Sequence, residues 1–242
     1  MQEREVFMDA WIDSGEIKQI IIVTDGKSGS GISLIEAAKE VYDKGIVVSA
    51  IGIVDPEAGS ESEAEEAKKI AEAGGGLWYY SKAEDLKYAV KEIAIDTSVK
   101  TIERIVDRQL KVIIGEGIPD LEPESRTKIM NFIKKYGGNI NLKCIVVIDA
   151  VRSIKGSFSI VEKSAAGLLE SIRIRKGSSS IAVIDCSGET AGMHNTICEF
   201  AGDISLLNQN PELICRSGGG QAGAAILKAC ELMNQYYEVY NA

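Results

Sequence analysis

The sequence predicts an α/β fold built on a doubly wound, mostly parallel sheet of about six strands. Two runs of apolar, largely β-branched residues, 20–23 and 144–148, are typical of strands that are buried on both faces. Both runs lead into an aspartate, Asp25 after Thr24 in the first and Asp149 in the second. Segments with helical spacing of apolar residues alternate with the strands, which is the pattern of parallel strands joined by helical crossovers.

The first part of the chain contains three strands, each followed by a helix. The predicted strands are 19–24, 46–53 and 77–80. The helix signals are Ser33 as a cap, and two capping boxes formed by Ser62 with Glu65 and by Ser81 with Glu84. The third helix is predicted to end near Ala94. This regular alternation indicates a parallel sheet with helices on both faces.

Residues 98–138 interrupt the alternation. One amphipathic helix is predicted from Val99 to Leu110, and a second begins at Pro123 and ends before Gly137. We interpret this segment as a helical hairpin that connects two halves of the chain. Beyond it the alternation resumes, with predicted strands at 142–148 and 180–185, helices at 160–172 and 222–237, and a short strand at 204–207.

Composition argues against several classes of protein. The net charge of −9 makes nucleic acid or an anionic membrane an unfavourable partner. No apolar run approaches the roughly 18 residues of a membrane span. The five cysteines are scattered and there is one histidine, which fits reduced thiols in a cytoplasmic protein and argues against a zinc site.

The two aspartates are the most informative functional signal. The carboxyl ends of parallel strands meet at one edge of a sheet, and ligands bind at that edge in open α/β folds. Glycine-rich loops at 26–31 and 218–220 are predicted to lie at the same edge. Backbone N–H groups in such loops can hold phosphate, although neither loop matches a complete nucleotide-binding motif.

These pieces resemble the von Willebrand factor type A (vWA) domain family, in swapped order. In that family a strand ending in an Asp-x-Ser-x-Ser loop comes early, and a strand ending in Thr-Asp-Gly comes late. Here Thr24-Asp25-Gly26 comes first, and the 149–153 loop comes last. The order is that of a circular permutation, which folds tolerate because chain termini usually lie close together.

The resemblance implies one Rossmann-like domain over residues 1–242. Residues 1–97 would be the later half of the family's fold, 98–138 the hairpin join, and 139–242 the first half. The chain is also similar to a small group of permuted, stand-alone vWA proteins from spore-forming bacteria.

In the parent family these loops build a metal-ion-dependent adhesion site for Mg²⁺ or Mn²⁺. Carried over by position, the metal ligands would be Asp25, Asp149 and Ser153. The site would be degenerate, because Val151 replaces a ligating serine. The ligand face would also include these residues: Gly26, Lys27, Ser28, Arg152, and Ser217 or Gln221 where the family has a threonine. A competing arrangement places the cation of Arg152 or Lys27 between the two acids.

The predicted function is a non-catalytic protein-binding module that meets an acidic group of its partner at this edge. The alternative is an enzyme or a phosphate- or nucleotide-binding protein that uses the glycine-rich loops there. No catalytic residue is predicted. His194 and Cys186 are the candidates for a base and a thiol nucleophile, and both are interpreted as structural or surface residues.

Overall fold

The computed structural model describes residues 15–26, 31–53, 61–149, 177–186, 195–201 and 222–240. The strands are β1 (Glu16–Thr24), β2 (Val47–Ile53), β3 (Gly75–Ser81), β4 (Asn141–Asp149), β5 (Ser179–Asp185) and β6 (Asn195–Ala201). The helices are α1 (Leu34–Asp43), α2 (Glu61–Ala73), α3 (Leu86–Ile114), α4 (Pro123–Tyr136) and α5 (Ala222–Tyr240). The predicted helix 160–172 and strand 204–207 lie outside the described residues.

The six strands form one sheet in the order β3-β2-β1-β4-β5-β6. Neighbouring strands are parallel from β3 to β5, and β6 alone is antiparallel to its neighbour. The predicted fold class is therefore confirmed, and the described residues form a sheet of six strands. The antiparallel strand was not predicted, because residues 187–200 show no clear apolar alternation.

The sheet is covered on both faces, as a doubly wound fold requires. Along β1, Ile21 and Val23 point to the face covered by α3 and α4. Ile20 and Ile22 point to the face covered by α1, α2 and α5. All four side chains are fully buried, which explains why this strand is apolar at consecutive positions and does not alternate. Within the described parts of the chain, no helix is long and apolar enough to cross a membrane.

One boundary prediction is wrong. The helix predicted to end near Ala94 and the helix predicted to start near Val99 are a single 29-residue helix, α3. Ser98 Oγ donates to the carbonyl oxygen of Ala94 at 2.8 Å, and Thr97 Oγ1 lies 2.8 Å from Ser49 Oγ on β2. Both hydroxyls therefore have partners, one within the helix and one on β2, although these residue types favour a helix boundary.

The hairpin predicted for 98–138 is present as the second half of α3 followed by α4. Ile102 and Ile133 are buried where the hairpin leaves the sheet. Asp107 Oδ1 accepts a hydrogen bond of 2.7 Å from the backbone N–H of Ile118, which ties the connecting loop to α3. The end of α3 extends away from the core, and the side chain of Ile113 is 73% exposed.

Candidate functional site at the carboxyl edge

The two aspartates lie at the carboxyl ends of adjacent central strands. β1 and β4 pair in parallel, and Thr24 is directly opposite Asp149 in the register. Asp25 is the residue after Thr24, where β1 leaves the sheet. The structure thus places the two acids at the ends of neighbouring strands, with Asp25 one residue beyond the register partner of Asp149. The cause is the register, which runs without interruption from Glu16 opposite Asn141 to Thr24 opposite Asp149.

The chain turns sharply after Asp25. The backbone N–H of Gly26 donates to Thr24 Oγ1 at 3.1 Å, so the threonine side chain stabilises the turn. Gly26 has φ of 70°, a left-handed conformation that a residue with a Cβ adopts at a cost. Asp25 is only 5% exposed, and Asp149 is half-buried. Both carboxylates are therefore held at the rim of the core, on strand ends.

The amino end of α5 forms one wall of this edge. A Cβ atom added to Gly223 would lie 2.1 Å from the carbonyl oxygen of Ile32, in the segment that follows the β1 loop. The first turn of the helix therefore packs directly on backbone, and Ala222 is buried. Sequence reasoning missed this contact. Its only signal is a glycine inside a run of alanines at the start of a helix.

Cys186 follows β5 at the same edge. Its backbone N–H donates to the carbonyl oxygen of Ile148 at 2.9 Å, which fixes the end of β5 beside the end of β4. Its thiol is reduced and buried, as are the thiols of Cys144 and Cys230. The interpretation of Cys186 as a buried structural thiol fits this position. Complete burial raises the pKa of Cys144 to about 12.

The remaining predicted site residues lie outside the described residues. They are Lys27, Ser28, Arg152, Ser153, His194, Ser217 and Gln221. Within the described ranges, no group of three or more histidine, cysteine, aspartate or glutamate residues could hold a metal ion. The described part of the site therefore consists of two carboxylates and the hydroxyl of Thr24, the residue before Asp25 and opposite Asp149. In type these are the hard oxygen donors that Mg²⁺ and Mn²⁺ prefer.

A second like-charged pair lies at the opposite end of the same two strands. Lys18 on β1 is directly opposite Lys143 on β4. Lys143 is buried, and its Nζ donates to the carbonyl oxygen of Met233 on α5 at 3.3 Å. Burial lowers the pKa of both lysines, and the charge of Glu16 acts against that shift. Sequence reasoning missed this pair, because it depends on a register between strands that are distant in the chain.

The fold and the edge define a class of protein: a Rossmann-like α/β domain with acids at the ends of its two central strands. Residues 10–94 match the family of von Willebrand factor type A domains. The chain is 29% identical over 179 residues to the uncharacterized protein YabS of Bacillus subtilis (strain 168), a match that covers 71% of each protein. These matches support the resemblance to a stand-alone vWA-like family that the sequence predicted.

A solved structure shares this fold over nearly the whole chain. It is the crystal structure of an uncharacterized protein from Alicyclobacillus acidocaldarius subsp. acidocaldarius DSM 446. The two share 27% sequence identity with a TM-score of 0.81, over 93% of this chain and 97% of that one. The similarity therefore extends well beyond the 10–94 segment.

Proposed function

We propose that the chain is one circularly permuted vWA-like domain. Residues 139–242 would supply the first half of the family's fold, 1–97 the later half, and 98–138 the join. The direct pairing of β1, which carries Thr-Asp-Gly, with β4, which ends in Asp149, supports this order. The family match to 10–94 supports it too, because a family with the ordinary order of elements aligns with one half of a permuted chain at a time.

The vWA domain commonly mediates protein interactions, and we propose a specific binding mode for this one. It is a non-catalytic cytoplasmic module that binds an acidic side chain of a protein partner at the carboxyl edge of the sheet. The observation that carries the proposal is the placement of Asp25 and Asp149 on adjacent strand ends. A carboxylate partner needs a positive charge between itself and these two acids, which is the role of a metal ion or an arginine.

A degenerate metal-ion-dependent adhesion site fits the donors present. Asp25 and Asp149 would hold the ion, with Ser153 as a further ligand and water at the other positions, since Mg²⁺ readily keeps several waters. A bound Mg²⁺ or Mn²⁺ would offer an open position to the partner's carboxylate. The protein's own part is to hold two carboxylates rigidly at one level, through the β1–β4 register and the turn at Gly26.

The first experiment measures thermal unfolding with EDTA, Mg²⁺ or Mn²⁺. An ion at 100 times its Kd stabilises the folded state by about 2.7 kcal/mol, so the midpoint rises with ion concentration. The Asp25→Asn/Asp149→Asn variant should lose this response. The control Asp43→Asn/Asp85→Asn makes the same change in charge at exposed positions and should keep it. A wild-type unfolding midpoint that neither ion changes would contradict a bound metal. The Arg152→Gln variant would then test whether Arg152 supplies the positive charge instead.

The second experiment separates protein binding from the alternative. An acidic partner should be retained by wild type and by the Asp43→Asn/Asp85→Asn control, and lost by the Asp25→Asn/Asp149→Asn variant. ATP and inorganic phosphate are added in parallel thermal unfolding measurements. Stabilisation by either compound, together with no difference in partner binding between the variants, would replace this proposal with a phosphate- or nucleotide-binding function.

A further inference from the structure

A second surface, the outer edge of β3, has features of an interaction site. β3 is the terminal strand of the described sheet and pairs only with β2 there. α2 packs against β3 on one face and α3 packs against it on the other, so the strand is held between two helices. Alternate backbone N–H and C=O groups of an edge strand point away from the sheet and can pair with another strand.

An aromatic pair lies along this edge. Trp78 and Tyr80 are 38% and 40% exposed, on the face that α2 covers. Their ring centroids are 5.1 Å apart, with the planes tilted by 48°. Gly52 on the adjacent strand makes room for the Tyr80 ring, since an added Cβ would lie 3.2 Å from Tyr80 Cδ1. The two large rings are thus positioned by the fold while a substantial part of each faces solvent.

Acidic side chains flank the edge on both faces. Glu65 on α2 acts on Tyr80, and its charge adds to the effect of burial in raising the pKa of that phenol. On the other face, Tyr79 donates a hydrogen bond to Asp96, with Glu92 also close enough to act on the phenol. The middle of the edge is therefore apolar at its centre, with Asp96 and Glu92 on one face and Glu65, which lies 3.6 Å from Lys69 Nζ, on the other. At the start of the strand, Arg104 donates to the carbonyl oxygen of Gly75.

We propose that the outer edge of β3 is a docking site for an extended, basic segment of a protein partner. The segment would add a strand to the sheet through backbone hydrogen bonds, place an apolar side chain against the Trp78–Tyr80 pair, and direct lysine or arginine toward the flanking acids. This surface is separate from the carboxyl-edge site and needs no ion.

A second copy of this chain is a less suitable occupant. Pairing two β3 edges in a continuous sheet would place the same helices side by side. Each α2 carries five glutamates and two lysines, so two copies would repel each other. The charge of the edge instead complements a basic segment.

The test selects peptides that bind a folded variant in which the carboxyl-edge site has been removed. A display library of random nine-residue peptides is screened against the Asp25→Asn/Asp149→Asn variant, so that failure of the carboxyl-edge proposal does not affect the result. Selected peptides are expected to alternate apolar with lysine or arginine residues. Trp78→Ser should weaken them about tenfold, as for a central aromatic anchor, and Trp78→Phe should restore most of the binding.

Phe132→Ser is the matched control, since Phe132 is an exposed aromatic residue on α4. It should leave affinity unchanged, and thermal unfolding confirms that each variant is folded. Methylation of alternate backbone amides of the best peptide should abolish binding, because strand addition needs those N–H groups. Three outcomes would overturn the proposal: no peptide that distinguishes Trp78→Ser, selection of acidic peptides, or a dimer that depends on Trp78.

Discussion

The two ends of the β1–β4 pair carry opposite charges and are built differently. At the amino end, Lys18 faces Lys143, and α5 covers the pair and supplies the carbonyl oxygen of Met233 as an acceptor. At the carboxyl end, Thr24 faces Asp149, and Asp25 follows as the chain leaves β1. Like charges on neighbouring strands are unfavourable in both places. The comparison indicates that the lysines are accommodated by the protein itself, whereas the proposed function assigns the aspartates to a ligand.

The largest effect is expected from Gly223→Ala at the carboxyl end. Alanine in place of glycine normally stabilises a helix by roughly 0.5–1 kcal/mol. Here the added Cβ would collide with the backbone of Ile32, so we expect a loss of about 1–3 kcal/mol instead. Urea unfolding measures whether the substitution lowers or raises the free energy of unfolding. A stabilised variant would show that α5 does not pack on the backbone of Ile32 as described.

A smaller effect with a definite pH dependence is expected at the amino end. Burial lowers the pKa of Lys18 and Lys143 below 10.5, so the folded protein binds fewer protons than the unfolded chain just below that pH. The free energy of unfolding should therefore rise with pH through the window from the lowered pKa values to 10.5.

The control for that experiment is the Lys18→Met/Lys143→Met variant, which keeps similar volume without charge. Near neutral pH, its free energy of unfolding should equal that of wild type or exceed it by up to about 1 kcal/mol. The difference between the two proteins should shrink as pH rises toward 10.5. A difference that is constant with pH would mean that the lysines are not perturbed by burial.

A still smaller change is expected when the aspartates lose their charge. In EDTA, Asp25→Asn/Asp149→Asn should be slightly more stable than wild type, by up to about 1 kcal/mol, because two nearby carboxylates repel each other. With saturating Mg²⁺ the order should reverse if the proposed ion binds. Chemical unfolding in both buffers gives the comparison. An identical difference in the two buffers would contradict a bound ion.

The thiol in the middle of the β1–β4 pair should react very slowly with alkylating reagents. Cys144 lies between the two charged ends, and its pKa of about 12 keeps the thiol protonated at neutral pH. Alkylation followed by mass spectrometry should label Cys144 only as fast as the protein unfolds. Cys186, at the carboxyl end, is 5% exposed and should be labelled sooner. Equal labelling rates would show that the same cooperative unfolding event exposes both thiols.

Local patterns were sufficient to predict most of the sheet and the two acids. The run 20–23 is buried on both faces, so its composition alone identifies a central strand, and Asp25 marks where the strand ends. The confirmed helix from Ala222 follows from its apolar spacing. In each case the local sequence and the tertiary structure favour the same conformation.

The features that were missed depend on contacts between distant segments. Thr97 and Ser98 favour a helix boundary locally, and only Ser49 on β2 and the carbonyl of Ala94 make the continuous helix favourable. The pairing of Lys18 with Lys143 depends on the register of two strands from opposite parts of the chain. The metal ligands inferred from resemblance stay a prediction, because Ser153 lies outside the described residues.

The β1–β4 pairing also has a consequence for biosynthesis. Ile20 pairs with Ile145, so the central ladder of the sheet is closed by a very long loop. Closing such a loop is entropically unfavourable until many contacts form together, which slows folding. During translation, β1 cannot pair with β4 until β4 has been synthesised and has left the ribosome. The acidic edge should therefore be among the last parts of the nascent protein to form, and a prematurely terminated chain would lack it altogether.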